Sequence, residues 1–105
     1  MLNAEIQKIY HNGNAVGHYT LYFPKKSEWV YIWDLNIAKE CRNKGIGTSE
    51  IMRVAKKYGT VYICPSNDNS ERLYAGLGTA ITKEECPKEL LSVYEELGKM
   101  YLICG

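Results

Sequence analysis

Arg42, Asn43, Lys44, Gly45 and Gly47 fall in one short stretch, and residues of these types at this spacing suit the holding of an anion. Glycine lets a backbone approach a ligand closely, because no Cβ stands in the way. The apolar run Leu35-Asn36-Ile37 leads into this stretch, and helix-forming residues follow it from Thr48. The unpaired N–H groups at a helix start, with the helix dipole, favour an anion and most often a phosphate. Arg42 and Lys44 add two positive charges at the same place. A glycine pair of this kind is common in ordinary turns, so the flanking elements must decide its meaning. The chain has no G-K-[ST] ending of a P-loop. It also opens with hairpin-like strands rather than the parallel βαβ unit of a dinucleotide fold.

The elements that position this turn follow from periodicity. Ile6, Ile9 and Tyr10 alternate up to His11-Asn12-Gly13-Asn14, and Ala15 to Phe23 alternates again, which predicts a β-hairpin. Pro24 to Glu28 is the next turn, and Trp29 to Ile37 is a third antiparallel strand rich in aromatic and β-branched residues. From Thr48 to Tyr58 the period changes: Ile51, Val54, Ala55 and Tyr58 share one helical face, and Gly59 stops the helix. Thr60 to Cys64 is a short strand ended by Pro65. Ser66 to Asn69 then caps a second helix that carries Leu73, Tyr74 and Leu77 and closes at Gly78. Thr82 to Glu85 fits a capping box, and Pro87 suits the first turn of a third helix bearing Leu90, Leu91, Tyr94 and Leu97. Met100 to Cys104 is a last strand. The predicted order is βββαβααβ.

Size and charge narrow the partners. A chain of 105 residues is expected to be one domain, residues 1–105, with one modest core. Lys+Arg 13 against Asp+Glu 12 leaves net +1, so no global field draws it to nucleic acid or to a membrane. No secretory signal and no membrane-length apolar run is evident, and a cytoplasmic setting is expected. Cys41, Cys64, Cys86 and Cys104 form no zinc pattern with His11 and His18, so no metal is expected, and four free, mostly buried thiols are.

Arg42-Asn43-Lys44-Gly45-Ile46-Gly47 resembles the Q/R-x-x-G-x-G/A signature of the GNAT superfamily of acyl-CoA-dependent N-acetyltransferases. A second signature, N-x-x-[AS]-x-x-x-Y-x-x-L-G, matches Asn67 to Gly78 after the next strand. The resemblance covers roughly residues 13 to 78. It implies an α/β fold of acyl-CoA N-acyltransferase type in a minimal version, with a mixed, mostly antiparallel sheet flanked by helices. It implies acetyl-CoA as cofactor and a small-molecule or peptide primary amine as acceptor. Arg42, Asn43, Lys44, Gly45, Ile46, Gly47 and Thr48 would cradle the coenzyme A pyrophosphate. Leu35, Asn36 and Ile37 would hydrogen-bond the pantetheine as a further strand, Asn67 would touch it, and Tyr74 would stand beside the sulfur. The third strand is expected to splay from the fourth and leave a wedge for the thioester.

In that chemistry an amine attacks the thioester directly, so orientation and strand amides near the oxyanion do most of the work. Tyr74 would assist the leaving thiolate by hydrogen bonding, or as an acid only if its pKa were lowered; plain packing beside Leu73 and Leu77 is the structural alternative. A general base does not stand out, and Asp34 is the nearest candidate. Tyr19, Tyr22, Tyr31 and Trp33 are expected in the core or, alternatively, along an acceptor cleft. Against the family pattern, the strand and two helices that usually wall the acceptor site are not matched, Thr79 stands where an aromatic is usual, and the closing segment offers a helix and one strand in place of a strand pair. A homodimer that completes the site is therefore expected. The alternative function is a catalytically degenerate member that binds coenzyme A or serves as an interaction protein.

Overall fold

Asn12 and Gly13 both adopt positive φ, 53° and 82°, and this left-handed pair closes a tight hairpin between β1 (Leu2–His11) and β2 (Asn14–Pro24). β3 (Trp29–Ile37) pairs antiparallel with β2, as the alternation predicts. The computed structural model describes residues 2–24, 29–42 and 44–105, so the expected turn at Lys25 to Glu28 lies outside the described residues. After β3 come a single 3-10 turn (Lys39–Cys41), α1 (Ile46–Tyr58), β4 (Thr60–Ile63) and α2 (Asp68–Leu77). The chain ends with β5 (Thr79–Ala80), α3 (Leu91–Leu97) and β6 (Tyr101–Cys104).

Six strands form one sheet in the order β1-β2-β3-β4-β6-β5. The β3–β4 pair is parallel and every other pair is antiparallel, which makes the sheet mixed as expected. One face packs Leu21, Val30, Ile32, Val61 and Ile103 against Ile51, Val54 and Ala55 of α1 and Tyr74 of α2. The other face packs Tyr31, Tyr62 and Met100 beneath Leu90 and the α3 segment. Among the described residues, no helix is long and apolar enough to cross a membrane.

Four expectations need correction. The third helix is broken: Lys83–Glu85 is a 3-10 turn closed by the Thr82/Glu85 capping box, Lys88–Leu90 is another, and only then does α3 begin. Pro87 explains the break, because its ring disfavours helical backbone at Cys86, which sits extended at φ −76°, ψ 134°. The closing segment is not a helix and a lone strand, because β5 pairs with β6 at Thr79 and Ala80. Two residues are too few for a period to show. The helix expected from Thr48 begins at Ile46, directly after Gly45. Among the four free thiols, Cys86 is buried, Cys41 and Cys64 are half-buried, and Cys104 is exposed at the end of β6, beyond the reach of β5.

Candidate functional site

Two irregularities shape the site. Asp34 takes a positive φ of 57° in the middle of β3, where the β2–β3 register slips between His18 and Thr20. The extra residue of this bulge re-aims the strand, so that Leu35 and Ile37 pack with Val30 and Ile32 against the α1 layer. The second irregularity is a difference in strand length. β4 pairs with β3 only from Trp29–Thr60 to Ile32–Ile63, and then ends. The β4-facing edge of β3 from Trp33 to Ile37 therefore has no strand partner among the described residues. This is the expected wedge, with backbone donors and acceptors on one wall.

A cleft of about 1190 Å³ opens at this place. Leu35, Asn36, Ile37, Arg42, Gly45, Ile46, Gly47, Thr48, Asn67 and Tyr74 all line it, so ten of the expected residues, from β3, the turn, α1 and α2, meet on one surface. Lys44 is exposed but does not line the cleft, and Asn43 lies outside the described residues. Reading by signature missed Lys39, Cys41, Ser66, Asn69, Ser70, Arg72 and Leu73, which also line it. Ser66 to Ser70 had a visible signal as a capping cluster, but capping alone does not announce a ligand.

Its electrostatics are one-sided. Lys39, Arg42 and Arg72 line the cleft and, among the described residues, no carboxylate does. Gly45 stands at φ 76° as the N-cap of α1 and offers no side-chain cap, so the first α1 amides have no side-chain partner among the described residues. A Cβ on Gly47 would stand 3.0 Å from Ile37 Cδ1, so glycine keeps that wall low. Arg42 Nε donates to the Ile37 carbonyl at 2.9 Å, which pins the turn to the strand end; the rest of the guanidinium makes no hydrogen bond among the described residues. Behind the helix, Tyr19 donates to Glu50 at 2.6 Å and Arg53 also engages Glu50. Tyr19 is thus a core residue that ties α1 to β2, not part of an acceptor cleft.

Asn67 caps α2: its side-chain oxygen accepts from the Ser70 N–H at 2.8 Å, while Ser70 Oγ accepts from the Asn67 N–H. Its amide –NH2 remains available as a donor to the cleft. Tyr74 is buried, and its ring meets Tyr101 edge-on at 6.4 Å. Burial, and then the neighbouring Cys64 thiol, push its phenol up to about 12. Tyr31 is raised as well, by burial first and then by Cys64, with smaller effects from Tyr22 and Tyr74. Cys64 packs with Tyr31 on the α3 face of the sheet, whereas Tyr74 packs on the α1 face. Asp34 joins neither. It is exposed on the bulge, accepts from Asn36 Nδ2 at 3.0 Å, and stands 3.9 Å from His18 Nε2.

These features fit an elongated polyphosphate ligand with a strand-like arm. Comparisons with known proteins bear on the fold and the family. No curated protein matches the chain. Among solved structures, N-acetylglutamate synthase from Neisseria gonorrhoeae, complexed with coenzyme A and N-acetyl-glutamate, superposes with a TM-score of 0.74 at 16% identity. That match covers 95% of this chain but 25% of the synthase, so the chain spans about a quarter of that protein. A GNAT acetyltransferase from Staphylococcus aureus Mu50 gives 0.66 at 18% identity, over 96% of this chain and 67% of that one. A GNAT acetyltransferase from Elizabethkingia anophelis with acetyl-CoA bound gives 0.57 at 18% identity, over 95% and 74%. At such identities these likenesses establish the fold. The family model described as the acetyltransferase (GNAT) family matches residues 4–79, and the chain belongs to that family.

Proposed function

We propose that the chain is a single-domain cytoplasmic N-acetyltransferase that uses acetyl-CoA to acetylate a primary amine. The observation that carries this reading is the basic cleft, which no carboxylate among the described residues lines, where the β3 edge beyond β4 meets the first amides of α1. Acetyl-CoA supplies an activated acyl thioester, whose carbonyl carbon accepts the amine while the thiolate leaves. The α1 amides from Ile46 to Thr48, with Arg42, Lys39 and Arg72, hold phosphate oxygens. The residues Leu35 to Ile37 offer backbone groups to the amide-bearing arm, and Asn67 adds its –NH2. An N–H of the same edge supports the developing oxyanion.

Tyr74 serves as a hydrogen-bond donor. With its phenol near 12 and an ordinary thiol near 8.5, full proton transfer runs uphill by about 5 kcal/mol. The acid role that needs a lowered pKa is therefore not the one proposed. Replacing Tyr74 by phenylalanine is expected to slow turnover about tenfold, the worth of one hydrogen bond, with coenzyme A affinity unchanged. Because this donor works only while protonated, its contribution holds as pH rises and is lost only near 12. A rate advantage of the wild type over the Tyr74→Phe chain that collapsed by about pH 9, near the ordinary thiol range, would contradict the assignment. One observation favours the competing reading of coenzyme A binding without turnover: Asp34, the nearest sequence candidate for a base, stands off the cleft. No turnover by the wild type, with coenzyme A binding intact, would support that reading instead.

The proposal includes a homodimer. β1 is a sheet edge, and Ile6 and Tyr10 on it are 74% and 63% exposed. Light scattering at micromolar concentration is expected to give twice the chain mass; the monomer mass would remove the dimer from the account.

A further inference from the structure

A second cavity, of about 330 Å³, lies on the other face of the sheet, beneath α3. Tyr22, Tyr31 and Trp33 wall one side of it. Tyr22 stands 6.1 Å from both other rings, at interplanar angles of 34° and 57°. Trp33 is half-exposed and Tyr22 half-buried, so these two rings present surface to the cavity, with the buried Tyr31 behind them. Leu90, Val93 and Leu97 form the facing wall. Among the described residues, Glu96 is the only charged one lining it, and Glu96 forms no ion pair with the others. Trp33 and Leu97 are 49% and 50% exposed, so the mouth is open to solvent.

Aromatic faces attract cations through the ring quadrupole, and more strongly where water is excluded. A lone carboxylate at the same cavity adds charge of the right sign. Mostly apolar walls, with a carboxylate as the one charged group among the described residues, disfavour an anionic guest. The chemistry is therefore opposite to that of the first cleft, where cations gather and carboxylates are absent among the described residues. The two sites nevertheless adjoin along one strand: Trp33 of β3 lines the second cavity, and Leu35, two residues on, lines the first.

We propose that this second cavity seats a cationic alkyl group of the acceptor, so that the acceptor class is an aliphatic amine carrying a second positive charge. Tyr22 and Trp33 provide the π faces with Tyr31 behind them, Glu96 the counter-charge, and Leu90, Val93 and Leu97 the apolar contact. The inference rests on the acetyltransferase reading for its link to the reaction, but the cation site is testable by itself.

The probe is hexylammonium, titrated against 15N-labelled protein at neutral pH beside 1-hexanol and hexanoate, which share its chain and differ in charge. Hexylammonium is expected to shift the Trp33 indole N–H and to bind at least tenfold more tightly than hexanol, with hexanoate weaker still. Trp33 is half-exposed, so Trp33→Leu should fold normally; it should cut hexylammonium affinity about tenfold. Glu96→Gln should weaken hexylammonium severalfold and leave hexanol unchanged. Hexanol or hexanoate binding as tightly as hexylammonium, or no response at Trp33, would overturn the cation site. Coenzyme A titrated into the same samples separates the two readings. Cation binding without coenzyme A binding sinks the acetyltransferase reading and leaves a cation site with no acceptor role, and coenzyme A binding without cation binding sinks this proposal alone.

Discussion

A chain carrying Gly45→Glu and Gly47→Glu is expected to lose at least about a hundredfold in coenzyme A affinity, or about 2.7 kcal/mol. Two effects combine. Gly45 holds φ 76° at the start of α1, a left-handed conformation that costs a residue with a Cβ roughly 1–2 kcal/mol. Gly47 borders Ile37, and any side chain there raises the wall of the cleft. Each new carboxylate also stands among the donors meant for phosphate. Two like charges about 4 Å apart repel by about 4 kcal/mol at an effective dielectric of 20. Gly47→Ala is the graded control. Its Cβ meets only the flexible end of Ile37, so the fold should be kept and affinity should fall by less. Calorimetry with coenzyme A on all three chains, alongside their melting curves, checks the ordering. Equal affinity in the double variant and the wild type would mean that the turn does not hold the phosphates.

Gly78→Ala should produce the largest loss of stability from a single added methyl. The new Cβ would stand 2.1 Å from the Leu102 carbonyl oxygen and 2.8 Å from Ile103 Cγ1. The first neighbour is backbone of a strand paired on both sides, so it cannot rotate away. Overpacking of this kind costs about 3 kcal/mol, a large share of the roughly 5–15 kcal/mol that holds a small domain folded. Urea denaturation should show a midpoint shift with little change in slope. An unchanged midpoint would mean that α2 and β6 can separate freely.

Gly78 also shows what a sequence conveys and what it hides. Periodicity marks it as the end of a helix, and the helix does end there. Its backbone is nevertheless extended, at φ −155°, so a left-handed cap is not the reason glycine is needed; the close passage of β6 is. That contact joins residues 24 apart, and no local pattern reports it. The hairpin, β3, α1 and α2 were legible for the opposite reason. Asn12-Gly13, the strand alternation and the helical faces are local signals that agree with the packing they meet. Tyr74 was legible through its place in a signature, whereas Arg72 and Lys39 were not, because a surface cation looks the same whether or not a cleft lies beneath it. Asp34 could not be placed by alternation alone, since its bulge changes which face the following residues present. The split among the aromatics likewise needed the sheet: Tyr19 anchors α1, while Tyr22, Tyr31 and Trp33 gather under α3.

The most direct test of the account is a calorimetric titration of acetyl-CoA into the wild-type chain at low and at moderate salt. The account predicts one site per chain with micromolar affinity. It also predicts weakening as salt rises, because Lys39, Arg42 and Arg72 meet phosphate in an open cleft. No heat up to millimolar acetyl-CoA, from a chain shown to be folded, would contradict it and leave an acetyltransferase fold without its cofactor.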